Sequence, residues 1–328
     1  MKRSFLKLAA ATLAGALISA CGGTNSGDDK TPGTMVTVAT RGGFSGLVLA
    51  ATKAGLADEL SAANSNLTLL APTNDAFGLL SNQLGFRTIA EMVDALPAST
   101  LESILLYHVL PGSLTGPQLL AGGSVQPTSL VQGATTLALA VNTASGISVT
   151  DSIGRVGIVG LTDVPNDNGV FHVVDRVLLP PGLLTVLQTV QSNPERFEGL
   201  VNNVNPALTT ALNDPTASYT LFAPVNAAFT AAASVLQPLA PNQIEAALRY
   251  HVLGTRVLSS QITFGTPLAT LLAGQTITIN PGVAPALALI DDTTATDARV
   301  TSVDIIASNG VVHVIDKVLV PVVPPPAP

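Results

Sequence analysis

Leu70-Ala71-Pro72-Thr73-Asn74-Asp75-Ala76-Phe77 is an apolar run that breaks at a proline and turns polar. The same passage occurs again as Phe222-Ala223-Pro224-Val225-Asn226-Ala227-Ala228-Phe229. Two further blocks are doubled in the same order. Tyr107-His108-Val109-Leu110 returns as Tyr250-His251-Val252-Leu253. Asn168-Gly169-Val170-Phe171-His172-Val173-Val174-Asp175-Arg176-Val177-Leu178 returns as Asn309-Gly310-Val311-Val312-His313-Val314-Ile315-Asp316-Lys317-Val318-Leu319. The offsets are 152, 143 and 141 residues, so the second copy is shorter, mainly between its first and second blocks. Three blocks repeated in order mark the duplication of one folding unit. The copies meet at Pro180-Pro181-Gly182 with almost no linker, which divides the chain into domains 35–180 and 182–321. Residues 322–328 form a Pro-rich tail with nothing to bury.

Each block has a local reading. The first runs from a strand into a helix, with Asn74 and Asn226 placed to cap the helix by accepting from a backbone N–H two or three residues on. Phe77 and Phe229 then pack back onto the sheet. A functional alternative makes Asn74 and Asp75 binding groups. In the second block, Leu101, Ile104, Leu105 and His108 follow i, i+3, i+4, i+7 spacing, as do Ile244, Ala247, Leu248 and His251. That spacing is the core-facing stripe of a helix, so both histidines point inward. Tyr107 and Tyr250 fall beside the stripe, where their hydroxyls could reach the surface. The third block is a β-branched strand after an Asn-Gly turn. Both its faces are mostly apolar, which predicts a central strand covered on both sides. Within it, His172 and His313 are read as structural. Asp175 and Asp316 would be buried carboxylates in need of backbone N–H or hydroxyl donors.

Together the three blocks resemble the signature segments of fasciclin-like domains. Those segments are a Thr-hydrophobic-Phe-Ala-Pro-Thr-Asn-x-Ala-Phe passage, a Tyr-His pair, and an Asn-Gly-x-hydrophobic-His-x-hydrophobic-Asp strand. Both copies carry all three, and the resemblance covers nearly all of residues 35–321. Leu70 replaces the usual Phe in the first copy. Val225 and Ala227 replace Thr and Asp in the second, which makes that helix entry less polar. The resemblance implies an α+β fold: two tandem domains, each a wedge of two β-sheets decorated with helices. It also implies adhesion, because in animal relatives the Tyr-His region is linked to receptor-mediated cell adhesion. Carried over, this makes Tyr107, His108, Tyr250 and His251 a candidate interaction surface, with a different partner in a bacterium.

The N-terminus reads as an export signal. Lys2, Arg3 and Lys7 precede an uncharged stretch from Leu8 to Ala20. It is shorter than the roughly 20 apolar residues that span a bilayer but fits a secretory leader, residues 1–20. Leu17-Ile18-Ser19-Ala20-Cys21 resembles the lipobox of bacterial lipoproteins, in which the Cys thiol is lipidated and becomes the first residue after cleavage. Cys21 is also the only cysteine, so no internal disulfide is possible. By the same resemblance, Gly22 in place of Asp favours the outer membrane, at the cell surface or the periplasmic face. Residues 21–34 lack aliphatic side chains apart from the anchor and form a flexible tether.

Removal of the leader leaves 11 basic against 21 acidic residues. Such a charge repels phosphate backbones and excludes nucleic-acid partners. No His, Cys or carboxylate cluster has metal-ligand spacing, and no cofactor fingerprint or nucleophile elbow occurs. Asp291-Asp292-Thr293-Thr294-Ala295-Thr296-Asp297 lacks the spacing and glycine of a calcium loop and reads as solvated. No catalytic residue, metal or cofactor is therefore assigned. The expectation is a non-enzymatic, lipid-anchored adhesion or matrix-interaction protein whose partner is an unknown protein or polysaccharide. The alternative is an extracytoplasmic binder of a glycan or small molecule, although the chain has no Trp and three Tyr with which to stack sugars. A third reading is a hydrolase whose site is assembled only in three dimensions.

Overall fold

The computed structural model describes residues 33–63, 65–142, 146–281, 287–290 and 297–321. The expected leader, Cys21, nearly all of the tether, the tail 322–328 and most of the acidic stretch at 291–297 lie outside the described residues. The chain forms two compact units, Met1–Pro180 and Pro181–Pro328. Both are α+β.

In the first unit, seven strands are hydrogen-bonded in the order β2-β1-β7-β6-β5-β4-β3. They are β1 (Leu67–Pro72), β2 (Val109–Pro111), β3 (Val125–Gln132), β4 (Thr135–Asn142), β5 (Ser148–Thr150), β6 (Val156–Asn166) and β7 (Gly169–Val174). The first and third repeated blocks lie side by side, because β1 pairs in parallel with β7 from Leu67↔Gly169 to Pro72↔Val174. A parallel pair cannot be closed by a hairpin and needs a long crossover. Here the crossover begins with helices Asn74–Gln83, Ile89–Ala95 and Ala98–Tyr107. Every other pairing in the sheet is antiparallel.

The expected pair of sheets is one sheet bent at β6. Val156 to Ile158 pair with β5, whereas Val159 onward pairs with β7. The register slips twice between Val159 and Val164, and Asp163 there adopts a left-handed φ of 59°. Such bulges kink a strand and sharpen its twist. Inside the bend, Leu70, Tyr107, Leu130, Leu139, Val149 and Val174 form a continuous apolar core. The alternation along β4 follows from this, with Leu139 and Val141 buried while Ala138 and Ala140 face out.

The second unit repeats the plan in the order β10-β11-β12-β13-β14-β8-β9. Its strands are β8 (Tyr219–Pro224), β9 (Val252–Leu253), β10 (Pro267–Ala269), β11 (Thr276–Pro281), β12 (Leu287–Ile290), β13 (Ala298–Ala307) and β14 (Gly310–Ile315). β14 runs parallel to β8 and antiparallel to β13, and all six of its residues are buried. Asp304 occupies the bulge of β13 with φ 58°.

Two local features correct the sequence reading. Asn74 and Asn226 are the first residues of their helices rather than the caps. In the first unit Thr73 is the cap, its hydroxyl accepting from Ala76 N at 3.1 Å. In the second, Val225 holds nearly the same backbone angles but has no side chain to offer, and the helix there is shorter, Asn226–Ala231. The Asn-Gly dipeptides, in turn, do more than turn the chain. A Cβ on Gly169 would lie 1.9 Å from Leu67 O, and one on Gly310 would lie 2.1 Å from Tyr219 O. Only glycine lets the parallel strands approach this closely.

Two predictions follow from this geometry. Val225→Thr should raise stability by about 1 kcal/mol by restoring the missing cap, read as a higher melting temperature. Gly310→Ala should lower it at the upper end of the roughly 1–3 kcal/mol expected of overpacking, because the clash is with backbone. An unchanged melting temperature in either variant contradicts the corresponding contact.

Candidate functional site

The second and third blocks converge on two buried histidines in each unit. His108 follows helix Ala98–Tyr107 as its C-terminal cap and is fully buried. Its Nδ1 donates to Ile104 O at 2.7 Å, which leaves Nε2 to accept from Leu178 N at 2.9 Å. His251 repeats both bonds, to Ala247 O at 2.7 Å and from Leu319 N at 2.9 Å. Each ring thus ties the end of a helix to the chain that leaves the last strand. Burial, assisted by the Arg155 charge, pushes His108 down to about 4, so the ring is neutral at physiological pH.

The other pair has the opposite tautomer. His172 Nε2 donates to Leu114 O at 2.7 Å, and Nδ1 accepts from Asp163 N at 3.2 Å. His313 does the same with Val257 O at 2.9 Å and Asp304 N at 3.3 Å. Burial lowers both of these histidines as well. The bulge aspartates extend the network. Asp163 accepts from Gly116 N at 2.7 Å, while Asp304 accepts from both the backbone N and the hydroxyl of Ser259. Ser259, Asp304 and His313 are consecutive in this chain of bonds but do not make a nucleophilic triad. The link to the ring runs through the Asp304 backbone N–H, so the imidazole cannot take the serine proton.

The remaining predicted site residues are buried or bonded to backbone. Tyr107 and Tyr250 are each 1% exposed, and their hydroxyls donate to Ala138 O at 3.2 Å and Thr276 O at 3.1 Å. Burial, with Asp151 second, raises the Tyr107 pKa. The Tyr-His pairs therefore present no side chain for a partner to touch, which corrects the reading of them as a contact surface. Asp175 and Asp316 do accept from backbone, from Ile158 N at 2.7 Å and Arg299 N at 2.8 Å. They are half-buried and exposed respectively, so the expectation of buried carboxylates was wrong: each strand ends one residue earlier. Asn74 accepts from Gly46 N at 2.9 Å and donates to Gly43 O at 2.7 Å. Asn226 likewise accepts from Gly199 N at 2.9 Å and donates to Pro194 O and Glu195 O. These asparagines pin a neighbouring helix rather than await a ligand.

A family model for the Fasciclin domain matches residues 42–180 and 195–321. The chain belongs to the fasciclin family. Protein sll1483 of Synechocystis sp. is 36% identical over 155 residues, spanning 42% of this chain and 68% of that protein. The fasciclin-like arabinogalactan protein elcF of Phaeosphaeria nodorum is 29% identical over 264 residues, 78% of each chain. A solved fasciclin domain pair from the insect cell adhesion molecule fasciclin I aligns with a TM-score of 0.42 and 19% identity, covering 86% of this chain and 96% of that one.

The bonding roles of three residues in each fasciclin domain escaped the sequence reading, which took Asn168 and Asn309 only as turn residues. Asn168 is 3% exposed; it accepts from Met35 N at 2.9 Å and donates to Leu60 O at 2.8 Å and Ala62 O at 3.2 Å. Asn309 makes the equivalent bonds with Val186 N, Leu212 O and Asp214 O. Thr68 donates to Gly112 O and accepts from Leu114 N, as Thr220 does with Thr255 O and Val257 N. The bulge aspartates complete the set. A signal existed, since Thr68 and Thr220 share the first block's offset and Asp163 and Asp304 the third's. Among the described residues no group of three or more His, Cys, Asp or Glu could hold a metal, and no helix is long and apolar enough to cross a membrane.

His108, His172 and His313 give the domains a pH dependence of definite sign. A ring whose folded pKa lies below its unfolded value contributes stability in full above about 6.5, and loses it as pH falls toward about 4. The unfolded chain takes up the proton first. Melting temperatures measured across this window should fall with pH, and His108→Gln should show a shallower fall than the parent. An identical slope in parent and variant would mean that His108 does not titrate in this way.

Proposed function

We propose that this chain is a non-enzymatic lipoprotein that displays two fasciclin domains outside the cytoplasm for adhesion or matrix interaction. The observation that carries this reading is the fate of the polar groups in the repeated blocks. In both domains the ring nitrogens and tyrosine hydroxyls are spent on backbone hydrogen bonds, so the motifs hold loops to a sheet and leave no acid, base or nucleophile poised for substrate. A scaffold needs that arrangement in every copy, whereas a catalytic site is needed once. Membership of the fasciclin family supports the reading, as do relatives named fasciclin-like arabinogalactan protein and, at 34% identity over 18% of its length, human periostin.

Cys21 supplies the anchor in this reading. Each acyl methylene buried in a bilayer contributes about 0.8 kcal/mol, so several chains on one residue hold a protein to a membrane without a spanning helix. Gly22 after the cysteine directs the anchored chain to the outer membrane, and the partner is a protein or polysaccharide. Cys21→Ser should release the protein from the membrane fraction. Cells carrying it should lose aggregation and surface attachment as fully as a deletion strain. Attachment equal to the parent in both strains would retire adhesion and send the purified protein to a glycan and metabolite screen.

A further inference from the structure

The two fasciclin domains share their scaffold bonds but differ on one outward face. In the first domain, the side of β3–β6 turned away from the core carries Val125, Val131, Ala138, Ala140, Val156 and Ile158. Val125 and Val131 are 59% and 55% exposed, Val156 and Ile158 48% and 46%. Register makes these one surface, since Val125 is opposite Ala140, Ala140 opposite Thr150 and Thr150 opposite Val156. The four strands contain a single charge, Asp163 in the bulge of β6, and its carboxylate is engaged by Gly116 N.

The second domain supplies an internal control. Tyr107 and Tyr250 donate to Ala138 O and Thr276 O, so Thr276 and Thr278 stand where the first domain has Ala138 and Ala140. Ile158 N and Arg299 N donate to the equivalent aspartates, so Arg299 replaces Ile158, and Asp297 replaces Val156. The same fold thus tolerates polar and charged residues at these positions. The apolar face of the first domain is therefore not required by folding.

We propose that this face docks a second copy of the chain, face to face, and that this pairing is the contact through which the adhesion reading above operates. The occupant follows from charge. With 21 acidic and 14 basic residues, two copies repel across most surfaces. Here the four strands offer no unengaged charge, and the nearest carboxylate beside them, Asp175, already accepts from Ile158 N at 2.7 Å. A partner of opposite charge would be drawn to the acidic surface instead, and an anionic membrane would need basic residues that these strands lack. A two-fold contact lets the same patch serve both sides. Four strands about 4.8 Å apart make a contact smaller than the roughly 800 Å² per partner of a stable complex. Each pairing is therefore weak, and adhesion comes from many tethered copies acting together.

Sedimentation velocity on the full chain carrying Cys21→Ser, which removes any lipid, tests this directly. The Cys21→Ser chain should show concentration-dependent dimerisation. Adding Val156→Asp with Ile158→Arg imports what the second domain already carries, and should give monomer with an unchanged melting transition. A chain with Val156→Asp and Ile158→Asp should pair with one carrying Val156→Arg and Ile158→Arg, though neither pairs with itself. Monomer at every concentration before any face substitution, or undiminished dimer in the Val156→Asp, Ile158→Arg variant, overturns the proposal. So do cells that lose attachment with Cys21→Ser but keep it with Val156→Asp and Ile158→Arg, a result that leaves the adhesion reading standing.

Discussion

A parallel pair of strands, drawn from segments far apart in the chain, is the constraint on which each domain is built. β1 and β7 in the first unit, and β8 and β14 in the second, must be brought together before anything between them has a place. Loop-closure entropy opposes such long-range pairing, so it needs strong reward at the point of contact. Two features supply it. The glycine at the head of β7 or β14 permits close approach of the strands, and the preceding asparagine ties the first helix of the unit to the strand junction through a set of hydrogen bonds of which two are buried. The crossover that parallel pairing demands then becomes the helical layer over the sheet.

The histidines close what the strand pair opens. His172 and His313 sit in the second strand of that pair and reach sideways to the loop after β2 or β9. His108 and His251 sit where the helical part of the crossover ends and catch the chain as it leaves the sheet. The two pairs use opposite tautomers because their surroundings differ. A helix end offers a free carbonyl to Nδ1, whereas a bulge offers a backbone N–H to it. Breaking one such bond leaves a buried group without a partner, which costs about 1–3 kcal/mol, more than the bond itself contributes. This asymmetry explains why neutral rings, unsuited to general acid–base work at their depth, are kept in both copies.

The sequence made the strands, the duplication and the inward histidines legible, because periodicity and spacing report burial directly. His108 at the end of the Leu101, Ile104, Leu105 stripe is buried as the spacing requires. Polar partners were harder to read. Asn74 looked like a helix cap because its type and position suit one, but Thr73 one residue earlier competes for the role and wins. Tyr107 was placed at the surface because a helix stripe shows only one side of the helix. It could not reveal that the bent sheet wraps round to bury the tyrosine too. The bulge that positions Asp163 has no local signature beyond the residue's tolerance of left-handed geometry, and it became visible only in register.

Duplication separates what the fold requires from what it permits. Every polar contact found twice, from Thr68 and Thr220 to Asp163 and Asp304, maintains the wedge, and its conservation within one chain needs no functional explanation. The positions where the copies part company are free of that duty. Val225 in place of Thr73 costs a cap without altering the topology. Ile158 against Arg299 is a different kind of divergence. Exposed isoleucine on an open sheet face is unfavourable in water, and the second domain shows that a charged residue is accommodated at the same hydrogen-bonding position. A surface that is apolar by choice rather than by constraint is one that some contact must cover. On an acidic chain, the partner that fits such a surface with least electrostatic cost is another copy of itself.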